Sequence, residues 1–97
     1  MAKADLIIYT DHIRLRLKLR LIPHDLPRQI YSKAIERYFD ALTGHLIAIM
    51  KKELHGKTKE YALSYDEKGK IVELITIHPI RSLQKLARVK TGRWRKI

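Results

Sequence analysis

Between His45 and His78 the chain passes through three segments rich in Ile, Val, Leu and Tyr, namely HLIAIMKKEL, KTKEYALSY and KIVELITIH. They are divided only by His55-Gly56 and by Asp66-Glu67-Lys68-Gly69. Breaks this short join strands that pair antiparallel, so the region is expected to be a sheet. Tyr61, Leu63 and Tyr65 alternate with Glu60, Ala62 and Ser64, which gives the middle strand one strongly apolar face. The last segment is apolar on both faces, Ile71, Ile75 and Ile77 on one and Val72 and Leu74 on the other, and belongs inside the sheet. Gly69 is expected in a left-handed turn. Pro79, with no N–H to give a ladder, is expected to end the last strand at His78.

Upstream, Leu6 to Tyr9 is apolar and β-prone and predicts a short N-terminal strand. Leu26, Ile30, Ala34, Ile35, Tyr38 and Leu42 recur at a helical period; Pro27 suits a first turn and Gly44 an end, so a helix is predicted over about 25–42. The stretch TDHIRLRLKLRLI, Thr10 to Ile22, reads two ways. Its alternation of apolar and basic residues from Ile13 to Leu21 is a strand pattern. Its Thr-Asp start and its Leu and Arg content favour a helix, which would stack His12, Arg16 and Arg20 on one face but leave Leu15 and Leu19 on the far side. Helix is the reading carried forward.

The segment from Pro79 to Ile97 holds Arg81, Lys85, Arg88, Lys90, Arg93, Arg95 and Lys96 and no acidic residue. Ile80, Leu83, Leu86, Ala87 and Val89 predict a short amphipathic helix broken at Thr91-Gly92, followed by Arg93-Trp94-Arg95. The expected fold is therefore α+β: a short N-terminal strand, two helices on a three- to four-stranded antiparallel sheet, and a basic C-terminal tail or short helix. At 97 residues this is one domain, with a core over about 6–78 and a basic extension over 79–97.

A net charge of +11 gives a strong positive field, and nucleic acid is the leading partner class. The absence of cysteine excludes disulfides, zinc fingers and thiol chemistry, and fits a cytoplasmic protein. The start, MAKADLIIYT, is neither a signal peptide nor a membrane span, so no membrane is expected. No Gly-rich phosphate loop, HExxH or GxSxG occurs, and the five histidines lack metal-ligand spacing; neither cofactor nor metal is expected. What remains is His, Arg, Lys and Tyr. Metal-independent RNA cleavage needs a base for the 2′-hydroxyl, a cation for the transition state and an acid for the 5′-oxygen, roles that His, Arg and Lys can fill. His12 beside Arg16, with His78 two residues after Thr76, are the catalytic candidates.

His12, Arg16, Arg20 and Ile22 form the pattern HxxxRxxxRxI, and the chain thereby resembles domain-of-unknown-function family 4258. That family is similar to the RelE and BrnT toxins within a wider ribonuclease group that includes barnase and the colicin nucleases. The likeness extends through a second helix, a strand with Lys51 and Lys52, a strand ending YALSY and the strand IVELITIH, about residues 7–78, and excludes the tail. Leu21 departs from the pattern, standing where a small residue such as Gly often precedes the Ile. The resemblance implies a ribonuclease toxin acting on RNA and held by an acidic antitoxin-like protein. Arg20, Lys51 and Lys52 are then expected RNA contacts, and the charge of the tail and its Trp separately make Arg81, Arg88, Arg93, Trp94 and Arg95 expected to contact phosphate or stack on bases. Two other functions are open: a non-catalytic nucleic-acid binder, and a module that binds an acidic partner.

Overall fold

The computed structural model describes residues 6–97. In chain order it contains β1 (Leu6–Tyr9), α1 (Asp11–Leu19), α2 (Leu26–Lys33), β2 (Glu36–Asp40), β3 (Leu46–Leu54), β4 (Lys57–Lys68), β5 (Ile71–Ile80), α3 (Ser82–Lys90) and β6 (Trp94–Lys96). The strands form one six-stranded sheet in the order β1-β5-β4-β3-β2-β6. Only β1 and β5 run parallel; every other pair is antiparallel. The class is α+β, but the sheet is mixed and larger than the predicted three to four strands.

The additional strands have physical causes. The helix predicted over 25–42 stops at Lys33, because Ala34 turns extended at φ −63, ψ 135. Glu36 to Asp40 then pairs with β3, burying Tyr38 and Asp40. The tail is also tied in, since Arg93-Trp94-Arg95 lies at β6, an edge strand on β2. His55 and Gly56, at φ 54 and 77, make the two-residue hairpin between β3 and β4, and Gly69 is left-handed at φ 61 as expected. Residues Asp66 to Lys68, expected as loop, continue β4.

One irregularity aims the last strand. Up to Tyr65↔Leu74 the β4–β5 register is regular; it then shifts so that Ser64 faces Thr76 and Ala62 faces His78, leaving Ile75 as an extra residue. Ile77 thereby joins Val72 and Leu74 in the main core, whereas the sequence pattern set it on the other side. Thr76, His78 and Ile80 take the opposite face, shared with Ala62. The strand also continues past His78, through Pro79 to Ile80. Because β1 covers only Ile71 to Leu74, the second half of β5 has a free edge on that side, where proline is tolerated.

The core has two parts. On the first face, Ile13, Leu17, Leu26 and Ile30 from α1 and α2 pack with Leu63, Leu74 and Ile77. On the second, Tyr38, Ile47, Ile49, Ala62, Ile80 and Trp94 form a smaller cluster. There α3 is turned inside out. Its Lys85 reaches Glu36 at 3.0 Å and Glu60 at 2.9 Å, while Leu83 and Leu86 are exposed. Among the described residues no helix is long and apolar enough to cross a membrane.

Candidate nucleic-acid interface

Thr10 positions both halves of the site. Its hydroxyl accepts from the Ile13 N–H at 3.3 Å, capping α1, and faces the carbonyls of Leu74 and Ile75 at 2.9 and 3.2 Å. The start of α1 is thus fastened to the bulge that orients His78. One turn into the helix, Arg16 Nε donates to His12 Nε2 at 3.4 Å; His12 is exposed and Arg16 half-buried. Arg20 is the C-cap, its N–H bonded to the Arg16 carbonyl.

Periodicity of four residues would put His12, Arg16 and Arg20 in one row, and the helix does so. His78 belongs to the other face of the sheet. The two meet where β5 has no neighbour. Burial first, and then the charges of Arg88, Arg20 and Arg16, hold the His78 imidazole below its ordinary value. An imidazole kept neutral near pH 7 beside three guanidinium groups is equipped to accept a proton where negative charge develops.

Six of the carboxylates among the described residues have partners other than those arginines. Asp40 is taken by Arg93, Glu36 and Glu60 by Lys85, Asp66 by His45, Glu73 by Lys68, and Glu67 by the Tyr31 hydroxyl. Among the described residues Arg16, Arg20, Arg81 and Arg88 have no ion pair. Uncompensated charge therefore gathers along α1, the free edge of β5 and α3.

Two grooves extend this tract. One, of about 680 Å³, lies at the start of α3 and is lined by Lys51, Thr58, Lys59, Glu60 and Arg81 among others. The second, about 350 Å³, is lined by Arg20, His55, Lys57, Lys59 and Tyr61. Lys59 and Pro79 wall both, so the basic surface wraps the sheet at this end. Sequence reading passed over Lys57 and Lys59; their signal was the run of alternating lysines opening β4.

Other expected contacts are placed elsewhere. Lys51 lines the larger groove, but Lys52 pairs with Lys59 on the opposite parity and so faces the first side. Arg81 is exposed at the start of α3, where its N–H donates to Gln84 Oε1 at 3.0 Å. Arg88 lies over the Trp94 ring at 5.1 Å. Trp94, expected to stack on bases, is 2% exposed, packs against Tyr38 and donates to Asp40 Oδ2 at 3.3 Å, so it belongs to the core. Arg93 clamps the same carboxylate through two bonds of 3.0 Å, and only Arg95 of that triplet is exposed. Burial alone would raise the Asp40 pKa, but hydrogen bonds from Arg93 and the Leu42 N–H, then the Arg93 charge and Trp94, bring it down to about 2.

The remaining histidines have local partners: His24 stacks on Tyr9, His45 pairs with Asp66, and His55 bonds the Leu21 carbonyl at 2.9 Å. Among the described residues no group of three or more His, Cys, Asp or Glu could hold a metal ion. Comparison of the chain with family models, curated proteins and solved structures gives no match.

Proposed function

We propose that this protein binds RNA along its basic edge and cleaves it without a metal, as a toxin-like endoribonuclease. One observation carries the reading: half-buried His78 lies on the part of β5 that β1 does not cover, within the field of Arg88, Arg20 and Arg16, which have no ion pair among the described residues. The resemblance to family 4258 through His12, Arg16 and Arg20 points the same way.

Neutral His78 takes the proton of a 2′-hydroxyl, whose oxygen attacks the adjacent phosphorus. Arg16, Arg20 and Arg88 stabilise the charge that accumulates on the phosphoryl oxygens. The bond to the 5′-oxygen breaks, leaving a 2′,3′-cyclic phosphate, and the 5′-oxygen receives a proton from the His12 imidazolium, formed by protonation from solvent once Nε2 is released from its bond to Arg16. The grooves walled by Lys59 hold the flanking strand through its phosphates.

The test is incubation with RNA in EDTA. The expected products end in 2′,3′-cyclic phosphate, and His78→Ala cuts the rate by roughly a hundredfold or more while binding persists. Arg88→Ala should move the acid limb of the pH–rate profile upward, since it removes a charge that lowers the His78 pKa. Tight, salt-sensitive binding with no cleavage by the native chain would instead establish the non-catalytic reading.

A further inference from the structure

Four of the five tyrosine hydroxyls are engaged inside the fold. Tyr9 donates to the His24 carbonyl, Tyr31 to Glu67 and Tyr38 to Glu36, while Tyr65 accepts from Arg37. Tyr61 is the exception. It is 5% exposed and belongs to the main core, yet its hydroxyl has no hydrogen-bond partner among the described residues. A phenol sealed in the core without a partner would be costly, and among the described residues no buried polar side-chain atom lacks one, so this hydroxyl reaches solvent. It does so in the groove of about 350 Å³ between the β3–β4 hairpin and the end of α1.

The surroundings of that oxygen are cationic. Alternation along β4 puts Lys57, Lys59 and Tyr61 on one side of the strand, and Arg20 lines the same groove from the C-cap of α1. Among the described residues none of these three cations has an ion pair, and no carboxylate lines the groove. The hairpin is also tied to the helix end, since His55 Nε2 donates to the Leu21 carbonyl at 2.9 Å. These two residues, at φ 54 and 53, are the only non-glycine residues with positive φ among the described residues, so the bond that joins the two elements has strained backbone at both ends.

A small groove with three cations and one hydroxyl donor suits a compact anion of more than one charge. An internal phosphodiester brings a single charge and needs room for the strand to leave on both sides. A terminal phosphate brings about two charges near neutral pH and three acceptor oxygens. We propose that this groove binds a phosphate monoester, the end of an RNA strand or a free nucleotide. The Tyr61 hydroxyl donates to one of its oxygens, and Arg20, Lys57 and Lys59 balance its charge. Taking the ligand as RNA rests on the binding half of the proposed function and on none of its chemistry. The site would rank strands by their ends, which phosphodiester contacts along the rest of the basic edge cannot do.

The experiment titrates the full chain, in EDTA, with 2′-O-methyl tetranucleotides, which lack the free 2′-hydroxyl that the proposed cleavage needs. One has hydroxyls at both ends, one a 5′-phosphate and one a 3′-phosphate, and uridine monophosphate is titrated beside them. A phosphate at one end should tighten binding roughly tenfold. Tyr61→Phe should remove most of that gain while the affinity of the hydroxyl-ended strand and the melting midpoint stay as they are. Lys57→Gln should weaken the phosphorylated strand more than the hydroxyl-ended one. No gain at either strand end, but Tyr61-dependent binding of uridine monophosphate, would assign the site to free nucleotides. Equal binding of all three strands with no binding of uridine monophosphate, or a gain that Tyr61→Phe retains, would overturn the proposal. Cleavage of ordinary RNA is scored separately: a native chain that leaves RNA intact yet shows the Tyr61-dependent gain keeps this site and loses only the nuclease reading.

Discussion

On the first face of the sheet, α1 and α2 turn Ile13, Leu17, Leu26 and Ile30 inward, whereas on the second α3 turns Lys85 and Arg88 inward and leaves Leu83 79% exposed. The first cover is held by apolar burial, which involves no titrating group. The second is held largely by charge: Lys85 between Glu36 and Glu60, Arg93 and Trp94 on Asp40, Arg88 on the Trp94 ring. A basic chain that placed all its cations outside would have no means of fixing α3. With Glu36 and Glu60 engaged by Lys85 and Asp40 by Arg93 and Trp94, the tail is tied to the sheet, while among the described residues Arg16, Arg20 and Arg88 have no ion pair.

The contrast is broken most severely from the first face. Ile30 is fully buried, and Ile30→Ala should cost about 3 kcal/mol, the middle of the range for a truncated core aliphatic. Urea unfolding should show that loss equally at pH 7 and at pH 4. A comparable truncation of the outward Leu83 should change stability by less than about 0.5 kcal/mol.

Acid should act on the second face alone. The Asp40 pKa is about 2 in the folded chain against 3.8 ordinarily, so the unfolded state takes up the proton first. The stabilisation is complete above about pH 4 and is lost as pH falls towards 2, amounting to about 2 kcal/mol. Tryptophan fluorescence follows this directly, because Trp94 is the only Trp and donates to that carboxylate. Asp40→Asn should flatten the acid dependence; an unchanged profile would remove Asp40 from the account.

What could be read from the sequence follows the same division. Signals local in the chain were legible: the His55-Gly56 and Gly69 turns, the Thr10 cap, and the existence of α3 with its end at Gly92, although the apolar stripe that predicted α3 faces outward. Signals made by distant partners were not. The period of Leu26, Ile30 and Ala34 runs on through Tyr38 and Leu42 by coincidence, and only pairing of Glu36–Asp40 with β3 decides for strand. The bulge at Ile75 carries no mark in the sequence, yet it sets which face His78 occupies. Likewise Trp94 and Asp40 are 54 residues apart, so a tail that reads as a basic, base-stacking arm is the edge strand of the sheet.

The smallest of these effects tests whether α3 is held by its charges. Burial alone would lower the Lys85 pKa, but hydrogen bonds to Glu60 and Glu36 outweigh it and raise it, and Glu36 is in turn held below its usual value despite its own burial. Lys85→Met keeps the stem over the second face and removes the charge, leaving two carboxylates close together. The expected loss is about 1 kcal/mol, below that of a fully buried pair because all three side chains keep some solvent contact. Adding Glu36→Gln and Glu60→Gln should restore most of it, since the cost lies in the uncompensated charges. If the triple variant stays as unstable as Lys85→Met, the helix is held by packing of the stem instead, and the two faces differ less than their contacts imply.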